Sequence, residues 1–398
     1  MELVWITPGT PYPPNQGERV VTFNRIKRLA DRGHDVHVLS VVDDESELDR
    51  ADEMTDFCSS VTYATRPRGM KLYARNPRLP YPVASRYAPK LQEKLDELTD
   101  TADVVVAEHT NMTKYLTELD VPTCFSVHNI ETKVLLGMAR SKFPSPRAIP
   151  YAVESARMLQ YERTVFGDGL FDSYLFLSTD ERAQMADRFP TIADRTSVSP
   201  IGVTADRFDL TESLPEKYAS DVPTVVFTGT MRYEPNVDAV EWFVKEVFPK
   251  VRSVVPDVRF LIVGKEPNET VRRLGKQPGV VVTGRVPAIE PFIDAADTIV
   301  VPLREGGGVK IKLVEALASE SVVVSTPTGA EGVNVKHGKH LWVAEDADMF
   351  AKYVTDALSG SEDSRELAIS GRAQMVEMYA WSSVVDDLEA HLHDLARR

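Results

Sequence analysis

The sequence predicts an α/β protein of two doubly wound, Rossmann-like domains. Three observations carry that prediction. Short apolar runs alternate with amphipathic helical stretches along most of the chain, the pattern of parallel strands covered on both faces by helices. The rhythm breaks once, at the polar and aperiodic segment Asp209–Pro223 (DLTESLPEKYASDVP), and then restarts. The chain's 398 residues also exceed one ordinary hydrophobic core, so two domains of about 200 residues are expected.

The first strand is expected at Leu3–Ile6, and a helix over Glu18–Arg32 that stops at Gly33, a residue free to adopt the left-handed conformation that ends helices. Strands at Val36–Val41, Val104–Ala107, Thr123–Val127 and Tyr174–Leu177 complete a first domain over residues 1–208. After a linker at 209–223, strands at Thr224–Phe227, Phe260–Val263, Val280–Thr283, Thr298–Val301 and Val322–Ser325 build a second domain over 224–380. Ser382–Arg398 reads as a last helix, and residues 381–398 are expected to pack back toward the first domain. In open sheets of this kind ligands bind outside the carboxyl ends of the strands.

Composition narrows the function. Hydrophobic residues make up 43% and charged residues 27%, as in globular proteins. No apolar run approaches the roughly 18 to 20 residues needed to span a bilayer. The opening MELVWITPGTP lacks the basic and apolar regions of a signal peptide, so a cytoplasmic protein is expected. A net charge of −14 argues against a nucleic-acid partner. Cys58 and Cys124 have no metal-ligand spacing and read as reduced thiols. No G-x-G-x-x-G follows a predicted strand, which disfavours a dinucleotide oxidoreductase.

The segment richest in chemistry is Pro302–Ser319, PLREGGGVKIKLVEALAS. A strand runs into three glycines and then into a helix expected to start near Val309. Glycines let backbone N–H groups approach a ligand, and a helix N-terminus favours anionic oxygens. Lys310 and Lys312 oppose the helix dipole by about 0.3–1 kcal/mol each, which an anionic ligand would explain. Glu315 stands where a carboxylate can accept hydrogen bonds from ribose hydroxyls. A glycine turn before a solvated helix is the plain alternative. Asp346-Ala347-Asp348 is formally an Asp-x-Asp metal motif, but it precedes a helical pattern and reads as an N-cap.

His128 directly follows Thr123–Val127 and is the first-domain candidate at a strand's carboxyl end; a capping turn histidine is the alternative. Glu108 and His109 follow Val104–Ala107 and are candidates for acceptor contact. His34, His37, His337, His340, His391 and His393 show no metal-ligand spacing, and no metal site is expected. Residues 61–92 hold Arg66, Arg68, Lys71, Arg75, Arg78, Arg86 and Lys90, interleaved with tyrosines and free of acidic residues. Such an island is attracted to an acidic lipid surface by about 1 kcal/mol per charge. It is expected to dock on the inner leaflet and receive a lipid-linked acceptor. A soluble acceptor bearing phosphates or carboxylates would use the same charges, and a solvated loop is the plain reading.

PLREGGGVKIKLVEALA resembles the donor-site signature of retaining glycosyltransferases of family 4, which have the GT-B fold. FTGTMRYEPNVDAVEWF (Phe227–Phe243), FLIVGKEP (Phe260–Pro267), VVVTGRVPAIEPFIDAADTIVVPL (Val280–Leu303) and VVVSTPTGAEGV (Val322–Val333) follow the family's order and spacing. TPGTPYPPNQGERV (Thr7–Val20), FSVHNIE (Phe125–Glu131), FLSTDERAQM (Phe176–Met185) and SPIGVTADRF (Ser199–Phe208) agree more loosely.

The resemblance implies hexosyl transfer from a nucleotide-diphosphate sugar, UDP- or GDP-linked, to a glycan or lipid-linked acceptor. It implies retention of configuration, no metal and no cofactor, with the leaving phosphate helping to deprotonate the acceptor. By the same resemblance Gly306, Gly307 and Gly308, with Val309 beside them, present amides to the diphosphate or sugar. Lys310 neutralises the leaving group, Lys312 is a second cation and Glu315 binds the ribose. Gly264 and Arg285 frame the base, Gly229, Arg232 and Asn236 lie near the phosphates, and Gly17 of the first domain faces the donor phosphate. Lys310, His128 and Glu315 form the implied catalytic set.

Two departures stand out. The position eight residues before Glu315 is Gly307 rather than a carboxylate, and Gly229-Thr230 replaces the family's Gly-Arg, leaving Arg232 or Lys310 to supply the charge. The alternatives are a non-hydrolysing sugar-nucleotide epimerase, which needs acid/base carboxylates where this loop offers glycines, and a non-catalytic sugar-nucleotide-binding protein, separable only by turnover.

Overall fold

The computed structural model describes residues 1–14, 17–44, 47, 52–69, 72, 78–208 and 214–398. The chain forms two compact units, Met1–Ile201 with Val384–Arg398, and Gly202–Ser383.

In the first unit β1 (Glu2–Thr7), β2 (Asp35–Val42), β3 (Ser60–Thr65), β4 (Val104–Glu108), β5 (Thr123–Val127), β6 (Ser173–Phe176) and β7 (Thr196–Val198) form one parallel sheet in the order β3-β2-β1-β4-β5-β6-β7. Parallel neighbours need crossovers. The larger ones contain α1 (Gly17–Asp31), α2 (Pro89–Leu98), α3 (Glu131–Lys142), α4 (Ala148–Gly167) and α5 (Thr179–Arg188). Helix α1 buries Val21, Ile26 and Leu29, and α2 buries Leu91, Leu95 and Leu98, spacings that keep one face on the sheet. Each such side chain contributes about 1.5–3 kcal/mol when fully buried. Helices on both faces are why β4 and β5 are buried at every residue.

The second unit repeats the plan. Its strands β8 (Thr224–Thr228), β9 (Arg259–Val263), β10 (Val280–Gly284), β11 (Thr298–Val301), β12 (Val323–Ser325) and β13 (Trp342–Val343) are parallel, in the order β10-β9-β8-β11-β12-β13. Its longer helices are α6 (Glu234–Trp242), α7 (Phe248–Val254), α8 (Glu269–Leu274), α9 (Glu290–Asp294), α10 (Ile311–Ala318), α11 (Ala347–Leu358) and α12 (Glu362–Tyr379). A π turn at Phe243–Val247 joins α6 to α7, with Pro249 in the first turn of α7, and the wider turn absorbs a residue that has no N–H to donate. A last helix, α13 (Trp381–Ala396), closes the chain. In each sheet the strand order reverses once, between β1 and β4 and between β8 and β11. Loops diverge at such a point and leave a crevice at the strands' carboxyl ends.

Two features depart from the sequence prediction. Strands β3, β7 and β13 are additional, and all three are sheet edges with no fully buried residue; a strand packed on one side does not need the continuous apolar run that marks central strands. The second unit also begins at Gly202 rather than Thr224. The Val203 N–H donates to the Tyr379 carbonyl (2.6 Å) and the Trp381 N–H to the Val203 carbonyl (3.2 Å), so residues 202–208 are tied to the end of α12. Within the expected linker, 209–213 lie outside the described residues, while Tyr218 packs on Phe292 with centroids 5.2 Å apart. From Val384 onward α13 belongs to the first unit: His391 lies between Ser173 (2.7 Å) and Ser197 (3.1 Å).

Candidate functional site

In the second unit the switch point is built by close backbone approach. The Gly229 N–H donates to the Val263 carbonyl at 3.0 Å. A Cβ on Gly264 would lie 1.7 Å from the Gly229 oxygen, and one on Gly229 would lie 2.8 Å from both Lys312 Nζ and Asn236 Nδ2. Glycine is therefore required at 264, where the clash is with backbone, while a side chain at 229 would displace Lys312 and Asn236. Asn236 Nδ2 donates to the Thr230 carbonyl (2.9 Å), while Lys312 Nζ donates to Asn236 Oδ1 (2.6 Å) and lies 4.1 Å from the centre of the Phe227 ring. Burial, reinforced by the neighbouring charge of Lys310 and opposed by Glu315, pushes the Lys312 ammonium down to about 7. A phosphate beside it would favour the charged form and reverse that shift.

The glycine loop lies next to this cluster. Gly306 (φ 114°) and Gly308 (φ 72°) adopt left-handed conformations, and a Cβ on Gly307 would touch nothing within 4 Å. Helix α10 starts at Ile311 rather than near Val309; Lys310 is its extended N-cap, and no side chain caps the first turn. The N–H groups of that turn carry the positive end of the helix dipole. Lys310 Nζ turns back to donate to the carbonyls of Gly308 (2.5 Å) and Gly306 (3.4 Å). Lys312, not Lys310, is thus the cation directed at Gly229, although Lys310 is the more buried of the two. Arg232 does not fill that place either: its side chain is 81% exposed and pairs with Glu266 at 3.2 Å. Arg285 is exposed and Val309 half-buried.

Glu315 is engaged by a residue the sequence reading did not single out. Arg207 lies 3.1 Å from Glu315 and 3.0 Å from Glu290. Burial raises the Glu315 carboxyl, and Arg207 opposes that rise. Arg207 stands in SPIGVTADRF, 108 positions from its partner, a distance over which no periodicity reports contact.

In the first unit the carboxyl ends of β4 and β5 bring Glu108, His109 and His128 together. Glu108 is fully buried: Trp5 Nε1 donates to it at 2.9 Å, His128 Nε2 bonds its other oxygen, and Arg25 lies 3.6 Å away. Burial alone would raise this carboxyl, but His128 and Arg25 hold it well below the usual carboxylate range. Its oxygens are committed inside the fold, so Glu108 positions His128 and does not offer the acceptor contact expected of it. His109 stacks on His128 with centroids 4.1 Å apart and faces Glu18 (3.4 Å) and Glu131 (3.9 Å). These carboxylates raise His109 against the effect of burial, whereas burial and His109 lower His128 despite Glu108. Gly17 opens α1 one residue before Glu18.

The basic island of the first unit is less free than its sequence suggests. Arg66 pairs with Asp43 at 3.0 Å, Arg68 donates to the Asp43 carbonyl at 2.7 Å, and Arg86 bonds the Val41 carbonyl at 2.9 Å with Asp43 3.4 Å away. Arg78 is exposed, and Lys71 and Arg75 lie outside the described residues. Asp346 behaves as an N-cap, accepting from the N–H groups of Asp348 and Met349 at 2.9 Å each. Among the described residues His34, Glu389 and His393 do gather, with candidate ligand atoms within 4.8 Å of one another. Two of them meet across 355 positions, which no spacing rule detects. Arg32 holds Glu389 and Asp386 at 2.6 Å each, and His34 holds Glu389 at 2.7 Å, so the group is an ion-pair network fastening α13.

Residues 16–207 match the family described as Glycosyltransferase Family 4, and residues 222–360 match the one described as Glycosyl transferases group 1. The chain belongs to glycosyltransferase family 4. It is a glycosyltransferase enzyme with the GT-B fold. Sucrose-phosphate synthase from Thermosynechococcus elongatus has the same fold, with a TM-score of 0.72 and 16% identity over 99% of both chains. WaaG, a glycosyltransferase involved in lipopolysaccharide biosynthesis, has a TM-score of 0.65 and 17% identity, covering 97% of this chain and 99% of that one. Anabaena HepE in complex with UDP-glucose has a TM-score of 0.63 and 14% identity over 99% and 100% of the two chains. A curated relative, an uncharacterized 44.6 kDa protein in the cps region of Klebsiella pneumoniae, is 25% identical over 95% of this chain and 96% of its own length. Among the described residues no helix of this glycosyltransferase is long and apolar enough to cross a membrane.

Proposed function

We propose that this enzyme transfers a hexose from a nucleoside diphosphate sugar, UDP- or GDP-linked, to a glycan or lipid-linked acceptor, with retention of configuration and without a metal. The observation that carries the reading is Lys312 at the switch point of the second sheet, enclosed by Gly229, Asn236 and Phe227 beside the Gly306–Gly308 loop. A half-buried ammonium next to uncapped helix amides is suited to a diphosphate, because preorganised charge in a poorly solvated site stabilises the leaving group strongly. In this reading Lys312 and the amides of α10 supply what a metal supplies elsewhere.

In the proposed step the bond from the anomeric carbon to the diphosphate oxygen breaks. The acceptor hydroxyl oxygen bonds the same face of that carbon, and its proton passes to the departing phosphate. Lys312 and the first-turn amides take up the developing negative charge, Lys310 braces the glycine loop, and Glu315, oriented by Arg207, accepts the ribose hydroxyls. His128, fixed by Glu108, serves the acceptor side. HepE in complex with UDP-glucose supports a UDP-sugar donor, and the part WaaG takes in lipopolysaccharide biosynthesis supports a role in glycan assembly. Calorimetric titration with UDP, GDP and their hexose conjugates, in buffer with and without EDTA, tests the reading. One nucleotide family should bind equally well in both buffers, and binding that requires a divalent ion would overturn metal independence.

A further inference from the structure

The helical hairpin of α3 and α4 carries a surface that the donor chemistry does not use. Helix α3 leaves the carboxyl end of β5 just after His128, and α4 returns antiparallel to it. Ala139, Ala148, Ser155 and Met158 face inward. The residues flanking the bend do the opposite. Phe143 is 79% exposed, Ile149 63%, Val153 52% and Met138 43%. Among the described residues, five of the twelve large exposed apolar side chains, these four and Leu136, fall within eighteen positions around one bend.

Charge on the same element is equally one-sided. From Thr132 to Val153 the chain has Lys133, Arg140, Lys142 and Arg147 and no Asp or Glu, in a protein of net charge −14. Lys133, Arg140 and Arg147 are exposed, and Lys142 Nζ lies 5.3 Å from the Tyr151 ring. Contiguous exposed apolar side chains mark contact surfaces. When cations surround an apolar wedge and anions are excluded, the complementary surface is an anionic lipid bilayer: the wedge enters the acyl boundary and the cations meet headgroups.

We propose that the bend between α3 and α4, and not the arginine island at 61–92, docks this enzyme on anionic membrane. The proposal rests on the reading that the acceptor is lipid-linked. It places the lipid surface on the hairpin that starts three residues after His128, on the acceptor side of the first unit.

Vesicle flotation tests it, using the full chain and vesicles of phosphatidylcholine with or without 30% phosphatidylglycerol (about 30%, a composition in the range where anionic surface attraction is strong). The wild type should float with the anionic vesicles at low salt and much less at high salt. Arg140→Glu/Lys142→Glu/Arg147→Glu should lower partitioning by at least about 100-fold, since each lost cation removes about fivefold. Phe143→Ser/Ile149→Ser should also release the protein, and Arg78→Glu/Lys90→Glu should leave flotation unchanged. All of these side chains but Lys142, which is half-buried, are exposed, so nucleotide binding should not move and the melting temperature should change little. A wild type that stays in the aqueous fraction while binding nucleotide would overturn the proposal and leave the donor reading intact. Flotation lost only in Arg78→Glu/Lys90→Glu, or a patch that mediates dimerisation instead, would also overturn it.

Discussion

Lys312 Nζ donates to Asn236 Oδ1 at 2.6 Å, joining the first turn of α10 to that of α6 across the switch point of the second sheet. The ammonium also stands where a Cβ on Gly229 would collide with it. Sequence order places Lys312 two residues beyond the expected leaving-group cation, yet the helix turn aims it at the β8 loop and sends Lys310 back onto the glycine carbonyls.

Lys312→Met should weaken nucleoside diphosphate binding by 10-fold to 100-fold, roughly the 1.5–3 kcal/mol of a hydrogen bond to a charged group. Lys310→Met should cost less in affinity and more in loop order. Calorimetry of both variants with the cognate nucleotide checks the ranking.

The same lysine predicts a pH dependence. Its folded value, about 7, lies below its ordinary 10.5, so between these values the unfolded chain binds the extra proton. Stability without ligand should therefore rise with pH across that window, by at most about 1.4 kcal/mol per unit. The penalty for burying the charge is fully present below pH about 7. Nucleotide binding should run the other way, weakening above pH 7 with proton uptake. Melting curves from pH 6 to 9.5 should show the rise in the wild type and its loss in Lys312→Met.

Glycine at 307 and glycine at 264 should behave differently. Gly307→Ala introduces a Cβ with nothing within 4 Å, so the fold should keep its melting temperature while donor affinity falls at least about tenfold, if backbone approach to an anion is what the loop provides. Gly264→Ala drives a Cβ to 1.7 Å from the Gly229 oxygen and should destabilise by at least about 3 kcal/mol, the upper range for overpacking. Chemical denaturation and titration of the two variants separate the effects.

Glu108 predicts acid sensitivity of the first unit. Its carboxyl is held below its ordinary 4.5 by His128 and Arg25, so it contributes stability that is present above that value and lost as pH falls below it. Glu108→Gln should lose about 3–5 kcal/mol at pH 7, because it leaves Arg25 buried without its countercharge. It should also flatten the acid limb of the stability profile. Melting temperatures from pH 3 to 7 measure both.

Central strands were legible in the sequence because burial on two faces demands unbroken apolar runs: Thr123–Val127 and Thr298–Val301 fall at the predicted residues. Three of the four edge strands were not, since Ser60–Thr65, Thr196–Val198 and Trp342–Val343 lack such a run; the edge strand Val280–Gly284 was legible through its valines. The glycine loop and its lysines were legible because local spacing encodes them. Contacts such as Arg207 with Glu315, or Trp5 with Glu108, depend on where distant loops meet, and one chain read along its length does not report that. The hairpin surface was missed because exposure of Phe143 and Ile149 is a property of packing rather than of order.

The most direct test is the melting temperature of the wild type and of Lys312→Met with a panel of nucleoside diphosphates and their hexose conjugates, with and without EDTA. At 100 times its dissociation constant a ligand adds about 2.7 kcal/mol. One nucleotide family should raise the wild-type melting temperature equally in both buffers and fail to raise that of Lys312→Met. An equal rise in both proteins would contradict a donor site built on Lys312, and silence across the whole panel would contradict the proposed donor class.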